Sequence, residues 1–193
     1  YYANLGLETV PEPVIRVKAI HHRDDPILTC SCPTVPPAEA SPMFAYSYSA
    51  MLWETLEAVG LPGIKDVWCP EVGHGSMLNI ISIEQKYAGH STEVGAFATQ
   101  IHYGAGVGKY TIVVDDDIDP SYDFDVIWAI GARSDPERSL DVIREMRGGL
   151  LDVARPPEKR GLTSKAIIDA CIPYDQLESF PRRARFEPEL RKK

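Results

Sequence analysis

The chain has 193 residues, 44% of them hydrophobic and 25% charged, which is the composition of an ordinary folded protein able to bury one sizeable core. Its formal net charge of −8 argues against a nucleic-acid binder, because such a protein presents a basic face to phosphate. No segment approaches about 18 uninterrupted apolar residues, so no membrane-spanning helix is predicted. The four cysteines lack the paired spacing of a zinc site, and we expect reduced, partly buried thiols in a cytoplasmic protein.

The first part of the chain predicts a hairpin followed by a stiff loop. Apolar and polar residues alternate over residues 14–22, and a turn at 23–26 leads to a second strand-like run at 27–30. Prolines at positions 33, 36 and 37 impose an extended loop, because each fixes its own φ and restrains its predecessor. A rigid apolar loop suits the wall of a substrate pocket, so Val35 and Pro36 are candidate rim residues, with an ordinary connection as the alternative.

The rest of the chain alternates helical and strand patterns. Apolar spacing predicts helices over 41–59, 89–103 and 122–132, the first with Ser41 as its N-cap. Strands are predicted over 64–68, 77–83 and 167–170 and from Lys109 onward. Because strand, helix, strand is the unit of a parallel sheet, we predict an α/β fold with a layered sheet and flanking helices, mostly parallel, with an N-terminal hairpin. This domain covers 1–173, and 174–193 form a tail that packs on a neighbour.

Four carboxylates follow the Lys109 strand within five positions: Asp115, Asp116, Asp117 and Asp119. Open α/β sheets build their sites just beyond the carboxyl ends of strands, so a site is expected there. A structural alternative is that Asp116 and Asp119 solvate the strand end and the start of the next helix. A third interpretation is a Mg²⁺-dependent phospho-acceptor like that of a response-regulator receiver. The late position of the cluster disfavours it, because a receiver carries its acidic pair on the first strand.

Five motifs, taken in order, resemble the UbiD-type decarboxylases and carboxylases, which use prenylated flavin mononucleotide. They are His-Arg-Asp-Asp-Pro-Ile at 22–27, Ser-Ile-Glu-Gln-Lys-Tyr-Ala-Gly-His at 82–90, the strand with its acidic cluster at 109–120, Asp-Val-Ile-Trp-Ala-Ile at 125–130 with Arg-Ser-Asp-Pro-Glu-Arg at 133–138, and Ser-Lys-Ala-Ile-Ile-Asp-Ala at 164–170. Each motif is weak by itself, but their shared order is specific.

The resemblance implies the carboxyl-terminal α/β domain of such an enzyme, which mediates assembly into dimers or larger homo-oligomers. In the family this domain follows an amino-terminal segment and a flavin-binding split barrel. The full-length enzyme is implied to hold prenylated FMN with a divalent metal and K⁺, and to decarboxylate an aromatic or α,β-unsaturated acid reversibly. The expected partners are therefore further copies of the chain and the N-terminal flavin-binding domains, with no nucleic acid and no membrane.

The start of the chain also bears on activity. Tyr1 and Tyr2 resemble the end of the family stretch that supplies the catalytic acids, so we expect an excised piece with no catalytic, cofactor-binding or metal-binding residue of its own. Decarboxylation needs an electron sink and a proton donor, and the piece alone is therefore expected to be inactive. The alternative hypothesis is a freestanding, non-catalytic assembly or regulatory subunit of a carboxylase complex.

Two places in the chain depart from the family pattern. Ser91, Thr92 and Glu93 stand where members often have Ala-Lys, and Cys171 stands where a threonine is common. A role of that lysine is therefore not transferred to this chain, and the turn at Cys171 is expected to differ.

Overall fold

The computed structural model describes residues 13–31, 34–101, 108–149, 152, 154–159 and 161–184. Its helices and strands follow in the order α1 (Ser41–Ala58), β1 (Ile64–Trp68), β2 (Leu78–Ile83), α2 (His90–Gln100), β3 (Tyr110–Asp115), α3 (Asp123–Arg133), β4 (Leu140–Arg147) and β5 (Leu162–Ala170). Among the described residues, no helix is long and apolar enough to cross a membrane.

The five strands form one mixed sheet in the order β1-β2-β3-β5-β4. The three central strands are parallel, and each edge strand is antiparallel to its neighbour. The predicted α/β class with a layered sheet and flanking helices is therefore confirmed. The parallel centre matters for function because it brings the carboxyl ends of β2, β3 and β5 to one edge.

Two apolar layers hold the helices on the sheet. On one face, α1 and α2 pack on alternate residues of the central strands, with Leu52, Leu56, Val94, Ile81 and Val113 in one cluster. On the other face, α3 packs on the sheet through the cluster Val126, Ala129, Ile80, Ile112 and Val114. Side chains alternate between the two faces along each strand, so the same strands serve both layers.

A close approach fixes α2 against β5. A Cβ built on Gly95 would lie 2.5 Å from Cγ2 of Ile167, inside the distance that any real side chain tolerates. The lack of a side chain at this position therefore lets the helix backbone sit directly on the sheet.

The predicted N-terminal hairpin is wrong. Residues 13–31 contain no strand, and every one of them is exposed, including Val14 at 96% and Ile20 at 78%. A two-stranded hairpin is marginal unless its apolar face packs on something, and nothing in the described chain covers this one. Cys30 is accordingly exposed rather than partly buried, whereas Cys69 and Cys171 are buried free thiols.

The predicted cap of α1 is also wrong. Ser41 is the first helical residue and Ala40 holds the N-cap position without a side-chain hydrogen bond. The Ser41 hydroxyl is buried and has no partner among the described residues. Pro42 lies in the first turn as predicted, because a proline there gives up only an amide that the helix would not use.

Candidate functional site

The last residue of β3 is a buried aspartate whose two carboxylate oxygens both accept hydrogen bonds. Asp115 is 6% exposed. Its Oδ1 accepts a hydrogen bond of 2.7 Å from Nε2 of Gln85, and its Oδ2 accepts bonds from the Ile172 amide at 2.7 Å and from Arg133 at 3.0 Å. Burial raises the pKa of Asp115 above its ordinary value, against the opposite effect of these three donors.

The partner of Asp115 is the last residue of α3. Nη1 and Nη2 of Arg133 donate to the two carboxylate oxygens of Asp117 at 2.7 Å each, in a bidentate arrangement. Burial by itself would lower the pKa of Arg133, but the two carboxylates raise it overall. The guanidinium of Arg133 thus lies between the carboxylates of Asp115 and Asp117 and offsets their negative charge in place of a metal ion.

The other two acids of the cluster turn away from this network. Asp116 and Asp119 are exposed, and Oδ1 of Asp119 accepts bonds from the amide and hydroxyl of Ser121 at 2.9 and 2.7 Å. Tyr122, not Asp119, holds the N-cap position of α3. In the described parts of the chain, no group of three His, Cys, Asp or Glu residues could hold a metal ion. The contacts of Asp115, Asp117 and Asp119 support a structural role for the cluster.

Next to this network the two departures from the family pattern meet at one carboxylate. Oδ2 of Asp169 accepts a bond of 2.5 Å from the Ser91 hydroxyl, and Oδ1 accepts one of 3.0 Å from the Cys171 amide. Burial and the carboxylates of Asp115 and Asp169 raise the pKa of the Cys171 thiol well above its usual range. The thiol is therefore held protonated and is a poor nucleophile.

The opposite end of the strands contains charged groups that the sequence did not bring together. Nζ of Lys109 lies 3.0 Å from both carboxylate oxygens of Asp152, which also accepts a bond from Thr163. On β5, Lys165 is 1% exposed and its Nζ donates to the backbone oxygen of Thr99. Burial lowers the pKa of Lys165. Only the tertiary structure reveals these contacts, because Lys109 lies far in sequence from Asp152, and Thr99 far from Lys165.

The predicted pocket rim lies beside a small cavity. Val35 is 67% exposed and Pro36 is half-buried. The residues on either side of them, Thr34 and Pro37, line a pocket of about 410 Å³ together with Glu71 on the turn before β2. A cavity of this size can hold a small ligand, but its described lining contains no cationic group for a substrate carboxylate.

An apolar part of the sheet is left uncovered by α3. Tyr110, Leu140 and Val142 are 47%, 48% and 48% exposed and line one shallow cavity of about 430 Å³ with Ala166. The side chains come from three adjacent strands and form one continuous surface. Exposed apolar surfaces that span several strands are typical of protein interfaces.

Comparison with protein families gives a match to the 3-octaprenyl-4-hydroxybenzoate carboxy-lyase C-terminal domain, called UbiD_C, over residues 41–170. The chain is 30% identical over 161 residues to the phenolic acid decarboxylase of Bacillus subtilis (strain 168), covering 83% of this chain and 33% of that protein. The chain spans about a third of the length of this relative.

Several solved structures are also similar to this chain. The vanillic acid decarboxylase of Sedimentibacter hydroxybenzoicus in its open form is 30% identical, with a TM-score of 0.65 over 78% of this chain and 31% of that chain. The UbiD-class enzyme HmfF from Pelotomaculum thermopropionicum in complex with FMN is 27% identical, with a TM-score of 0.62 over 75% and 31%. An evolved dimeric form of HmfF, in complex with prFMN, is 25% identical, with a TM-score of 0.53 over 75% and 28%.

Proposed function

Because this chain belongs to the family of UbiD carboxyl-terminal domains, we propose that it is the oligomerisation domain of a cytoplasmic enzyme that reversibly decarboxylates an aromatic or α,β-unsaturated carboxylic acid. The similar proteins are phenolic acid and vanillic acid decarboxylases, which supports a carboxylic acid attached to an aromatic or conjugated system as the substrate class. The chain covers about a third of each of them, so the reaction belongs to a longer protein.

The observation that carries the assembly role is the uncovered sheet face. Tyr110, Leu140 and Val142 expose a joined apolar surface on the half of the sheet that α3 leaves open. Covering such a surface with a second copy removes apolar area from water. In a two-fold dimer, this patch of one copy would contact the same patch of the other copy. We therefore propose that this face contributes to a homo-oligomer interface.

The chemistry of decarboxylation would come from the preceding domains. In this proposal prenylated FMN, the divalent metal and K⁺ are held by the N-terminal flavin-binding domains; that two similar structures, both of HmfF, contain FMN or prFMN supports the flavin. When bound, prenylated FMN supplies the electron sink for the carbanion left by CO₂. The residues of this chain would form part of the pocket wall and the contacts between subunits. The network of Asp115, Asp117 and Arg133 holds α3 at the edge of the sheet where β2, β3 and β5 end.

A freestanding, non-catalytic assembly or regulatory subunit is the alternative. It shares the fold and the apolar sheet face with the leading proposal but differs in what precedes Tyr1 in the gene. A flavin-binding split barrel and acidic residues upstream support the domain, and a start codon directly before Tyr1 supports the subunit.

The test compares this chain with the protein encoded by its whole gene. We expect the whole protein, reconstituted with prenylated FMN, to release CO₂ from candidate aromatic or unsaturated acids, and this chain alone to bind no flavin and release no CO₂. Stoichiometric flavin absorbance with turnover by this chain alone would contradict the assignment. A whole protein that forms oligomers but neither binds flavin nor turns over would favour the subunit.

A further inference from the structure

A cavity of about 560 Å³ lies between α3 and the chain segment 180–184. Its lining contains three arginines and two aromatic residues, and no acidic residue: Arg133, Arg182, Arg183, Trp128 and Phe180. We call it the arginine–tryptophan pocket. It is separate from the apolar sheet face and from the pocket beside the proline loop.

One wall of this pocket is anchored to its own helix. Nη1 of Arg183 lies 3.0 Å from Oδ2 of Asp125, and Nη2 donates to the other oxygen of the same carboxylate. The Arg183 guanidinium also lies over the Trp128 ring, 4.1 Å from its centroid. A bidentate ion pair combined with a cation–π contact fixes both side chains, so the pocket is shaped before a ligand arrives.

One of the three arginines of the pocket, Arg182, has donor groups that no described carboxylate takes. The Arg133 side chain is 3% exposed, and both of its Nη groups are taken by Asp115 and Asp117. Its Nε has no hydrogen-bond partner in the described chain. Arg182 is exposed, and none of the ion pairs among the described residues involves it. Arg133 is therefore compensated by its two carboxylates, and the uncompensated guanidinium of Arg182 favours an anion in this pocket.

We propose that the arginine–tryptophan pocket binds a small aromatic carboxylate. Arg182 supplies the charge that receives the carboxylate, and Phe180, with the part of Trp128 that Arg183 leaves uncovered, offers apolar surface against which an aromatic body packs. The cavity volume lies in the range of small-molecule sites. This site goes beyond the proposed function, because it needs neither flavin nor a second domain.

Ligand binding in the pocket should also stabilise the folded state. Arg133 is both a pocket residue and the partner of Asp115 and Asp117 at the end of β3. A ligand that binds the folded state alone raises the free energy of unfolding by mass action. We therefore expect benzoate to raise the unfolding midpoint of the wild-type chain.

The binding test uses the indole N–H signals of the three tryptophans in ¹⁵N-labelled chain. Benzoate should shift the Trp128 signal saturably with a dissociation constant of roughly 1 mM, while the Trp53 signal, whose N–H donates to Glu57, stays in place. Acetate and benzyl alcohol carry only the charge or only the ring, and each should bind at least tenfold more weakly. Equal binding of acetate or of benzyl alcohol would overturn the proposal, as would the absence of a saturable shift.

A matched pair of variants tests the residue assignment. Arg182→Gln should weaken benzoate binding roughly tenfold, because a hydrogen bond to a charged group is lost. Arg138→Gln removes another exposed arginine, outside the pocket and 4.0 Å from Asp135, and should leave binding unchanged. Both variants must keep the wild-type far-ultraviolet circular dichroism. Wild-type affinity in Arg182→Gln contradicts the proposal, and because the assay involves no flavin or CO₂, that outcome leaves the proposed function untouched.

Discussion

Nη1 of Arg133 lies 3.0 Å from Oδ2 of Asp115, so the last residue of α3 is bonded to the last residue of β3. Each group is almost fully buried, and each has further partners: Asp117 for the arginine, Gln85 and the Ile172 amide for the carboxylate. A buried charge that loses its partner is costly, whereas an intact network of this kind fixes one arrangement of the elements it joins. The edge where the central strands end is therefore held by polar contacts as well as by packing.

The carboxylate of Asp115 should be replaceable by an amide but not by a methyl group. Asp115→Ala leaves the Ile172 amide without an acceptor and takes one acceptor each from Arg133 and from Gln85, which keeps its bond to the Ile172 carbonyl, and should cost about 3 kcal/mol of unfolding free energy. Asp115→Asn keeps one oxygen that can accept from Arg133 and the Ile172 amide, and should cost about 1 kcal/mol. Urea unfolding followed by circular dichroism measures both. Equal losses for the two variants would contradict the hydrogen-bond explanation.

The pair Lys109 and Asp152 predicts a pH dependence at the other end of the sheet. Burial alone would raise the pKa of Asp152, but hydrogen bonds from Lys109, the Ala154 amide and Thr163 lower it overall from the ordinary 3.8. A carboxyl whose pKa is lower in the folded state adds stability above its unfolded pKa and loses it as the pH falls towards the folded value.

The expected result is a difference between wild type and Asp152→Asn that shrinks with acid. At pH 7 the variant should be roughly 1 to 2 kcal/mol less stable, because it loses charged hydrogen bonds. The difference should decline as the pH falls through about 4 and below. Asp135→Asn, on the exposed loop after α3, is the control and should differ little from wild type at any pH. A constant difference for Asp152→Asn down to the lowest pH at which the protein folds would refute this account.

The helices were predictable from the sequence, and so were the strands that they cover. α1, α2 and α3 have one buried face, and β2 and β3 are short apolar runs, so period and composition agree with the final structure. β4 was missed for a physical reason. Its eight residues are mostly exposed, and the register shifts between Ile143 and Met146, where Glu145 has a φ of 55°. A bulge of this kind breaks the alternation on which a strand prediction rests.

The candidate site was predictable only in its position. The run from Lys109 placed Asp115 at a strand end, and the structure agrees. Its partner Arg133 lies at the end of a helix that returns to the same edge, and no local pattern in the sequence encodes that return. The same holds for Ser91 and Cys171, which lie far apart in the chain and meet at Asp169. Contacts between elements depend on topology, which periodicity does not specify.

Two glycines in helices should respond to alanine in opposite directions. Gly95→Ala places a Cβ 2.5 Å from Ile167, and the overpacking should cost about 1 to 3 kcal/mol. Gly131→Ala, in α3, meets nothing within 4 Å and should gain about 0.5 to 1 kcal/mol, because alanine is the better helix former. Thermal unfolding of both variants measures the contrast. A stabilising Gly95→Ala would mean that α2 does not sit as close to β5 as described.

The proposed assembly predicts a specific mass in solution. The chain should form at least a dimer without flavin, and light scattering at tens of micromolar should give twice 21.4 kDa or more. Val142→Lys places a charge in the centre of the uncovered sheet face and should shift the population towards monomer, because burying an unpaired ammonium is costly. Val59→Lys, at the end of α1 and 49% exposed, introduces the same charge outside that face and should leave the mass unchanged. A wild-type mass of 21.4 kDa, that of a monomer, would contradict the proposed assembly role. An oligomer that survives Val142→Lys but dissociates in Val59→Lys would move the interface to the α1 side of the molecule.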